Sequence, residues 1–291
     1  MRIRTILLQR SSVKSLTFLG DMFDGVQCPC ILLQLIATGK PLSTAGMMIE
    51  DRTRTYTIAM ERTVVPENFS FRMTDEEYRV LEKIKNSIPV CYLADHADFA
   101  LGIVTGNNKK FLSAEKTENS EMVLKGTDIC KYHINPVKQY LRFEPEQFQQ
   151  VAPLEIYRAP EKLLYRFISN QLVVAYDDRQ MLSLNSCNIV IPKIDGMQIK
   201  YILAILNSSV SQFVYQKEFH SIKVLRAHME HIPIPRVGKA IQNEIIAMTE
   251  PLICGMGKEA AETCQKRLDC RIMDLFRFSA EEQWIIRHAL H

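Results

Sequence analysis

Asp177, Asp178 and Arg179 stand side by side in the stretch "DDRQMLSLN" at 177–185. Two adjacent carboxylates beside a guanidinium can share a proton or hold a metal ion. A catalytic pair also needs a pocket and a cause for a shifted pKa. This one joins two apolar runs instead, "QLVVAY" and "CNIVIPK". Asp at such a junction accepts hydrogen bonds from the backbone that follows it, so the stretch reads as a turn between strands with no catalytic role. His220, His228 and His231 raise the metal question again, but H-E-x-x-H is absent and Pro233 follows closely, so no metal site is assigned. The eight cysteines lack paired C-x2-C spacing and read as buried free thiols in a reducing compartment.

Phosphate and base chemistry has better material. Residues 102–110, "GIVTGNNKK", combine a Gly- and Asn-rich turn, which exposes backbone N–H groups, with two lysines. The stretch is neither G-x-G-x-x-G nor a Walker loop, and both a structural turn and a functional loop fit it. Residues 125–142 carry Lys125, Lys131, Lys138 and Arg142 against Asp128 alone, with Tyr132, His133 and Tyr140 interleaved. Residues 217–239 carry Lys217, Lys223, Arg226, Arg236 and Lys239 against Glu218 and Glu230. Mixed basic and aromatic side chains neutralise phosphates and contact bases, although a solvated face has the same composition. Overall charge does not separate the two, since 36 basic and 33 acidic residues leave a net charge of only +3.

These groups need a scaffold, and the 291 residues supply one. With 47% hydrophobic and 24% charged residues the chain can bury a sizeable core, enough for about two domains. No apolar run approaches the roughly 20 residues of a membrane span, and no signal peptide is read at the start, so a cytoplasmic protein is expected. "SLTFL" (15–19) and "CILLQLI" (30–36) have strand length, and the second lacks alternation, as in a strand buried on both faces. The two strands are too little for a closed core and look like the edge of something larger. Thr74-Asp-Glu-Glu77 forms a capping box, and Tyr78, Leu81, Ile84 and Ile88 follow at helical spacing until Pro89. From 97 to 236, short β-type runs such as "EMVLKG", "KLLYRFI" and "NIVIPK" alternate with turns around one helix at 199–216. Residues 239–291 are helical in pattern. One helix ends near Pro251 or Gly255, a second covers roughly 257–276, and a third opens at the capping box Ser279–Glu282.

The nucleophile elbow, the dinucleotide fingerprint, the zinc deaminase signature and an Asn/Asp-Pro-Pro-aromatic tetrapeptide are all missing. Yet five stretches, in order, resemble the C-terminal part of TaqI- and Eco57I-type adenine-specific DNA methyltransferases and type II restriction–modification enzymes. They are "LGIVTGNNKKFL" (101–112), "MVLKGTDICKY" (122–132), "KLLYRFISNQLVVAYDDRQMLSLNSCNIVIP" (162–192), "YILAILNSSVSQFVY" (201–215) and "LRAHMEHIPIP" (225–235). Further out, "FLGDMFDGVQCPCILLQL" (18–35) looks like the last strands of the family's catalytic domain, and "DLFRFSAEEQWIIRHAL" (274–290) like its helical tail.

The resemblance implies an α+β fold in four parts. Residues 1–40 are the end of a methyltransferase-like α/β sheet, left over as a strand pair, and 41–96 a connecting strand and helix. Residues 97–238 are a mainly β target recognition domain with a central helix, and 239–291 a helical C-terminal tail. It implies sequence-specific recognition of double-stranded DNA as the specificity part of an adenine-N6 methyltransferase system. The family's S-adenosylmethionine loop and catalytic tetrapeptide belong upstream of such a strand pair, so no catalytic or cofactor-binding residue is carried over. The cofactor is expected on a catalytic partner chain or a missing N-terminal domain. The DNA-binding candidates are Asn107, Asn108, Lys109, Lys110, Lys131, Tyr132, His133, Lys217, His220, Lys223 and Arg226. Two other readings stay open: a subunit of a split methyltransferase, active only with a separate catalytic chain, and a protein-interaction scaffold that does not bind DNA.

Overall fold

The computed structural model describes residues 2–25, 28–64, 71–219 and 221–289. It divides into two units, Met1–Glu82 and Lys83–His291, and the fold is α+β.

In the first unit, α1 (Arg2–Arg10) leads into a long hairpin of β1 (Ser11–Asp21) and β2 (Pro29–Ala37). Two short strands, β3 (Met48–Glu50) and β4 (Thr55–Thr57), complete a sheet in the order β2-β1-β3-β4, in which β1 and β3 run parallel. One face of this sheet is apolar, and Val13, Leu16, Met47, Ile49, Ile58 and Phe71 form its core. The expectation that 30–36 is buried on both faces is corrected. β2 is the edge strand, and Ile31, Leu32, Leu35 and Ile36 are 54, 62, 41 and 50% exposed. Helix α2 (Asp75–Asn86) starts at the expected capping box, where Thr74 N donates to Glu77 Oε2 at 2.8 Å and Glu77 N to Thr74 Oγ1 at 3.3 Å. Beside it, buried Arg62 reaches Asp75 at 2.6 Å, and hydrogen bonds from Arg62 and Ala59 outweigh burial and hold the Asp75 carboxyl below its ordinary range.

The second unit continues with β5 (Val90–Cys91), β6 (Ala97–Ala100), α3 (Asn108–Phe111), β7 (Leu112–Ser113), β8 (Ser120–Leu124) and β9 (Tyr140–Arg142). After α4 (Leu154–Tyr157) come β10 (Lys162–Arg166), β11 (Val174–Asp177), β12 (Leu182–Ser183) and β13 (Cys187–Pro192). The helical part is α5 (Ile199–Asn207), α6 (Ser209–Glu218), α7 (Arg226–Glu230), then β14 (Ile234–Pro235), α8 (Lys239–Cys254), α9 (Lys258–Leu275) and α10 (Ala280–His288). Two four-stranded sheets, β11-β10-β13-β6 and β12-β8-β9-β7, share one core built from residues such as Val123, Leu141, Leu164, Leu182 and Ile189. The strands expected from "EMVLKG", "KLLYRFI", "QLVVAY" and "NIVIPK" are all present, and so is the second capping box at Ser279–Glu282.

The single helix expected at 199–216 is corrected to two. Ser208 has extended backbone, and its hydroxyl accepts from Ser211 N, so it caps α6 while ending α5. The break puts two buried amides against the outer edge of β11. Asn207 pairs with both backbone groups of Val174 at 3.1 and 2.8 Å, and Gln212 with both groups of Leu172 at 2.9 Å each. The backbone of Tyr132 occupies the same edge, donating to Val174 O and accepting from Tyr176 N. An edge strand that would otherwise offer bare N–H and C=O groups is thereby closed. The reading of all eight cysteines as buried is also corrected. All are free, but Cys28, Cys254 and Cys270 are exposed, because they lie at element ends or on an outer helix face.

Candidate nucleic-acid interface

The turn between β12 and β13 explains how a surface site is assembled. Asp177 is fully buried and ion-paired with equally buried Lys162 at 2.6 Å. Its two oxygens accept from Arg179 N at 2.9 Å and Met181 N at 3.0 Å, which makes "DDRQ" the expected turn. The chain then runs through β12 to Leu184, Asn185 and Ser186. This short turn is stitched to its neighbours by Ile103 N to Ser183 O (2.7 Å), Asn185 N to Ile103 O (3.1 Å) and Leu184 N to Leu124 O (2.7 Å). Such close approach requires glycine at two positions. A Cβ on Gly102 would collide with the Leu184 carbonyl, and one on Gly126 would lie 2.5 Å from Ser186 O.

Around this turn opens a cleft of about 470 Å³. Asn108 and Lys109 line it from the Gly-rich loop, Lys125 from the end of β8, Gln139 from the entry to β9, and Asn185 and Ser186 from the turn, over an apolar floor of Leu112 and Leu184. The walls therefore carry amides and cations, with no carboxylate among the lining residues. Asn107 caps α3 by accepting from Lys110 N at 3.3 Å, and Asn108 Oδ1 accepts from Thr105 Oγ1 at 2.6 Å, so the loop is held rigidly. Lys110 donates to Gln147 Oε1 at 3.2 Å and lies over Phe111, which packs edge-on against Phe148.

A second exposed group is formed by Lys223 and Arg226. Lys223 lies over Phe167, while Arg226 lies over Phe99 and is paired with Glu230 at 2.7 Å. Their segment is tied down by Val224 N to Phe167 O (2.7 Å) and Ser169 N to Ile222 O (2.9 Å). His228 stacks on Phe219 and accepts from Leu225 N at 3.2 Å, and burial lowers its pKa.

Two candidates are withdrawn from the surface, and a third, Lys131, is half-buried. Tyr132 is 2% exposed and Lys217 7%, so neither side chain has area to offer a duplex. Lys131 donates to Asn207 O at 3.1 Å, the C-terminal carbonyl of α5, where a cation complements the helix dipole. Asp269 of α9 accepts from Ser209 N at 2.8 Å, at the N-terminal end of α6. The α5–α6 break is thus clamped by opposite charges. Burial pushes Lys131 down despite Asp269, and pushes Asp269 and Tyr132 up. His133 is half-buried and its carbonyl accepts from Cys130 N, while His220 lies outside the described residues. The sequence places Lys125 in a basic stretch but not among the DNA-binding candidates, and Gln139, Asn185 and Ser186 are not singled out there. The one available signal was Asn185-Ser186 as a polar interruption between the apolar runs of β12 and β13. Among the described residues no three His, Cys, Asp or Glu side chains group as metal ligands.

Residues 121–234, which hold four of the six polar cleft residues, match the family model of the TaqI-like C-terminal specificity domain. This segment is similar to TaqI-like specificity domains. Among solved structures, the type IIL restriction–modification enzyme MmeI, in complex with DNA, superposes with a TM-score of 0.57 at 8% identity, over 99% of this chain and 48% of that one. The type IIG restriction endonuclease BpuSI gives 0.44 at 11% identity, over 99% and 44%. The HsdS subunit from Thermoanaerobacter tengcongensis gives 0.37 at 15% identity, over 74% and 50%. The chain spans about half the length of these structures. No curated protein matches it. The matched segment begins in β8, and the Gly-rich loop that completes the cleft precedes it.

Proposed function

We propose that the chain recognises a specific double-stranded DNA sequence, as the specificity part of an adenine-N6 methyltransferase or restriction–modification system. The observation that carries this reading is the cleft, in which a rigid Gly-rich loop and the specificity domain bring three amides and two lysines together without a carboxylate. Amides and lysines are the groups that read purine edges, and lysines also neutralise phosphates. Lys223 and Arg226, exposed on the same unit, supply further positive charge. The MmeI enzyme that shares the fold was solved in complex with DNA, in keeping with this assignment.

Selection from randomised duplexes at two salt concentrations tests it. A recovered motif is expected, with affinity falling steeply as salt rises, since each phosphate contact contributes roughly 0.9 to the logarithmic salt slope. Failure to bind duplex even at low salt would overturn the reading.

One observation favours a split enzyme as the form in which the chain acts. The outer edge of β2 carries no strand among the described residues, and its apolar side chains are exposed, as a strand would be that pairs with a catalytic sheet. In this reading S-adenosylmethionine sits on the catalytic chain or domain. Calorimetric titration of this chain with S-adenosylmethionine should then give no binding heat, and saturable binding would refute the placement.

A further inference from the structure

We propose that the cleft reads the major-groove edge of one adenine in the target sequence, with Asn185 as the reading residue and Gln139 beside it. The inference rests on the DNA-recognition reading above and deepens it to a base and two side chains. Adenine presents N7 as acceptor and N6 as donor, and a carboxamide matches both at once through its NH2 and its oxygen. Among the cleft amides, Asn108 has its oxygen committed to Thr105, at 2.6 Å. The amides of Asn185 and Gln139 make no hydrogen bond to described residues, which leaves donor and acceptor available together.

Placement favours Asn185. Its side chain is exposed, but its backbone is bonded to Ile103 O, and the adjoining Leu184 and Ser186 are tied to Leu124 O and Gly126 N. A short side chain on so rigid a turn loses little conformational freedom on binding, as a specificity contact requires. The composition of the cleft also discriminates between bases. A cytosine reader would bring a carboxylate to accept from N4, and none lines this cleft. Lys109 and Lys125, exposed on long flexible stems, suit phosphates on either side of the base better than a fixed pair to guanine.

The test compares the full-length wild type with Asn185→Ala, Gln139→Ala and Lys125→Ala in the same duplex selection. Wild type should return a motif with at least one adenine position. Asn185→Ala should lose the preference there and bind the selected site roughly ten-fold or more weakly, with unchanged binding to unrelated duplex. Gln139→Ala should weaken the same position. Lys125→Ala should keep the motif and lower the logarithmic salt slope by about one. A second measurement alters the DNA instead of the protein. Replacing each selected adenine in turn with 7-deazaadenine removes N7, and should weaken wild type at one position while leaving Asn185→Ala no weaker than before. If wild type yields a motif that Asn185→Ala and Gln139→Ala reproduce, with every 7-deazaadenine duplex affecting wild type and Asn185→Ala alike, the cleft assignment fails and DNA recognition stands. If wild type itself yields no motif, the underlying reading fails first.

Discussion

Lys162→Met should destabilise the second unit by about 3–5 kcal/mol, the range found when one partner of a buried ion pair is removed. Lys162 and Asp177 are both 0% exposed. They are also direct cross-strand partners in the β10–β11 ladder. The ammonium donates to Asp177 at 2.6 Å and to Tyr157 O at 2.6 Å. Burial lowers the Lys162 pKa, and Asp177 opposes the shift. Methionine fills a similar volume but leaves the Asp177 carboxylate with only the Arg179 and Met181 N–H groups. Asp177→Asn in the same chain removes the stranded charge while an amide oxygen still serves the turn. The double variant should therefore be more stable than Lys162→Met alone, with a clear coupling energy in the double-mutant cycle. Urea unfolding of the four proteins measures this. Strict additivity would mean that the pair is not the stabilising unit described here.

This pair also marks the limit of what the sequence discloses. The turn at 177–180 was legible, because Asp between two apolar runs has few other uses. Its partner was not, since Lys162 opens β10 fifteen residues earlier and nothing local signals that a lysine is buried. Strands β10, β11 and β13 were readable for a related reason: their burial within the unit leaves continuous apolar runs. Both capping boxes were readable because the cap is a local chemical event. The break at Ser208 was hidden, since Ile202, Leu206 and Phe213 keep nearly helical spacing across it. Lys131, Tyr132 and Lys217 appear in the sequence as a basic and aromatic surface. The placement of Lys131 and Tyr132 is decided by distant groups such as Asn207 and Asp269, 76 and 138 positions beyond Lys131. The same distance separated the cleft residues. Gln139 and Asn185 lie 46 positions apart with no local pattern linking them, and only the pairing of β8, β9 and β12 brings them to one cleft.

Gly102→Ala should be among the most damaging single-methyl additions in the second unit, costing about 3 kcal/mol. The reason is steric, not conformational. The added Cβ would run into the carbonyl of Leu184 and lie 2.8 Å from Cys187 O, and both are backbone atoms that no rotamer change can move. Relief requires shifting the 184–187 turn, which is held by hydrogen bonds to Ile103 and Leu124 and leads directly into β13, a central strand of its sheet. Gly238 provides the control. A Cβ there meets nothing within 4 Å, so Gly238→Ala, which loses only the glycine N-cap of α8, should cost about 1 kcal/mol or less. Thermal unfolding monitored by far-UV circular dichroism separates the two, and a Gly102→Ala midpoint near that of wild type would show that the turn can yield. At temperatures where Gly102→Ala remains folded, the displaced turn carries Asn185 with it. The variant should then bind unrelated duplex normally while losing preference at the position that Asn185 reads. A methyl group that touches no DNA would alter specificity by moving the residue that does, which ties the packing of this unit to its recognition chemistry.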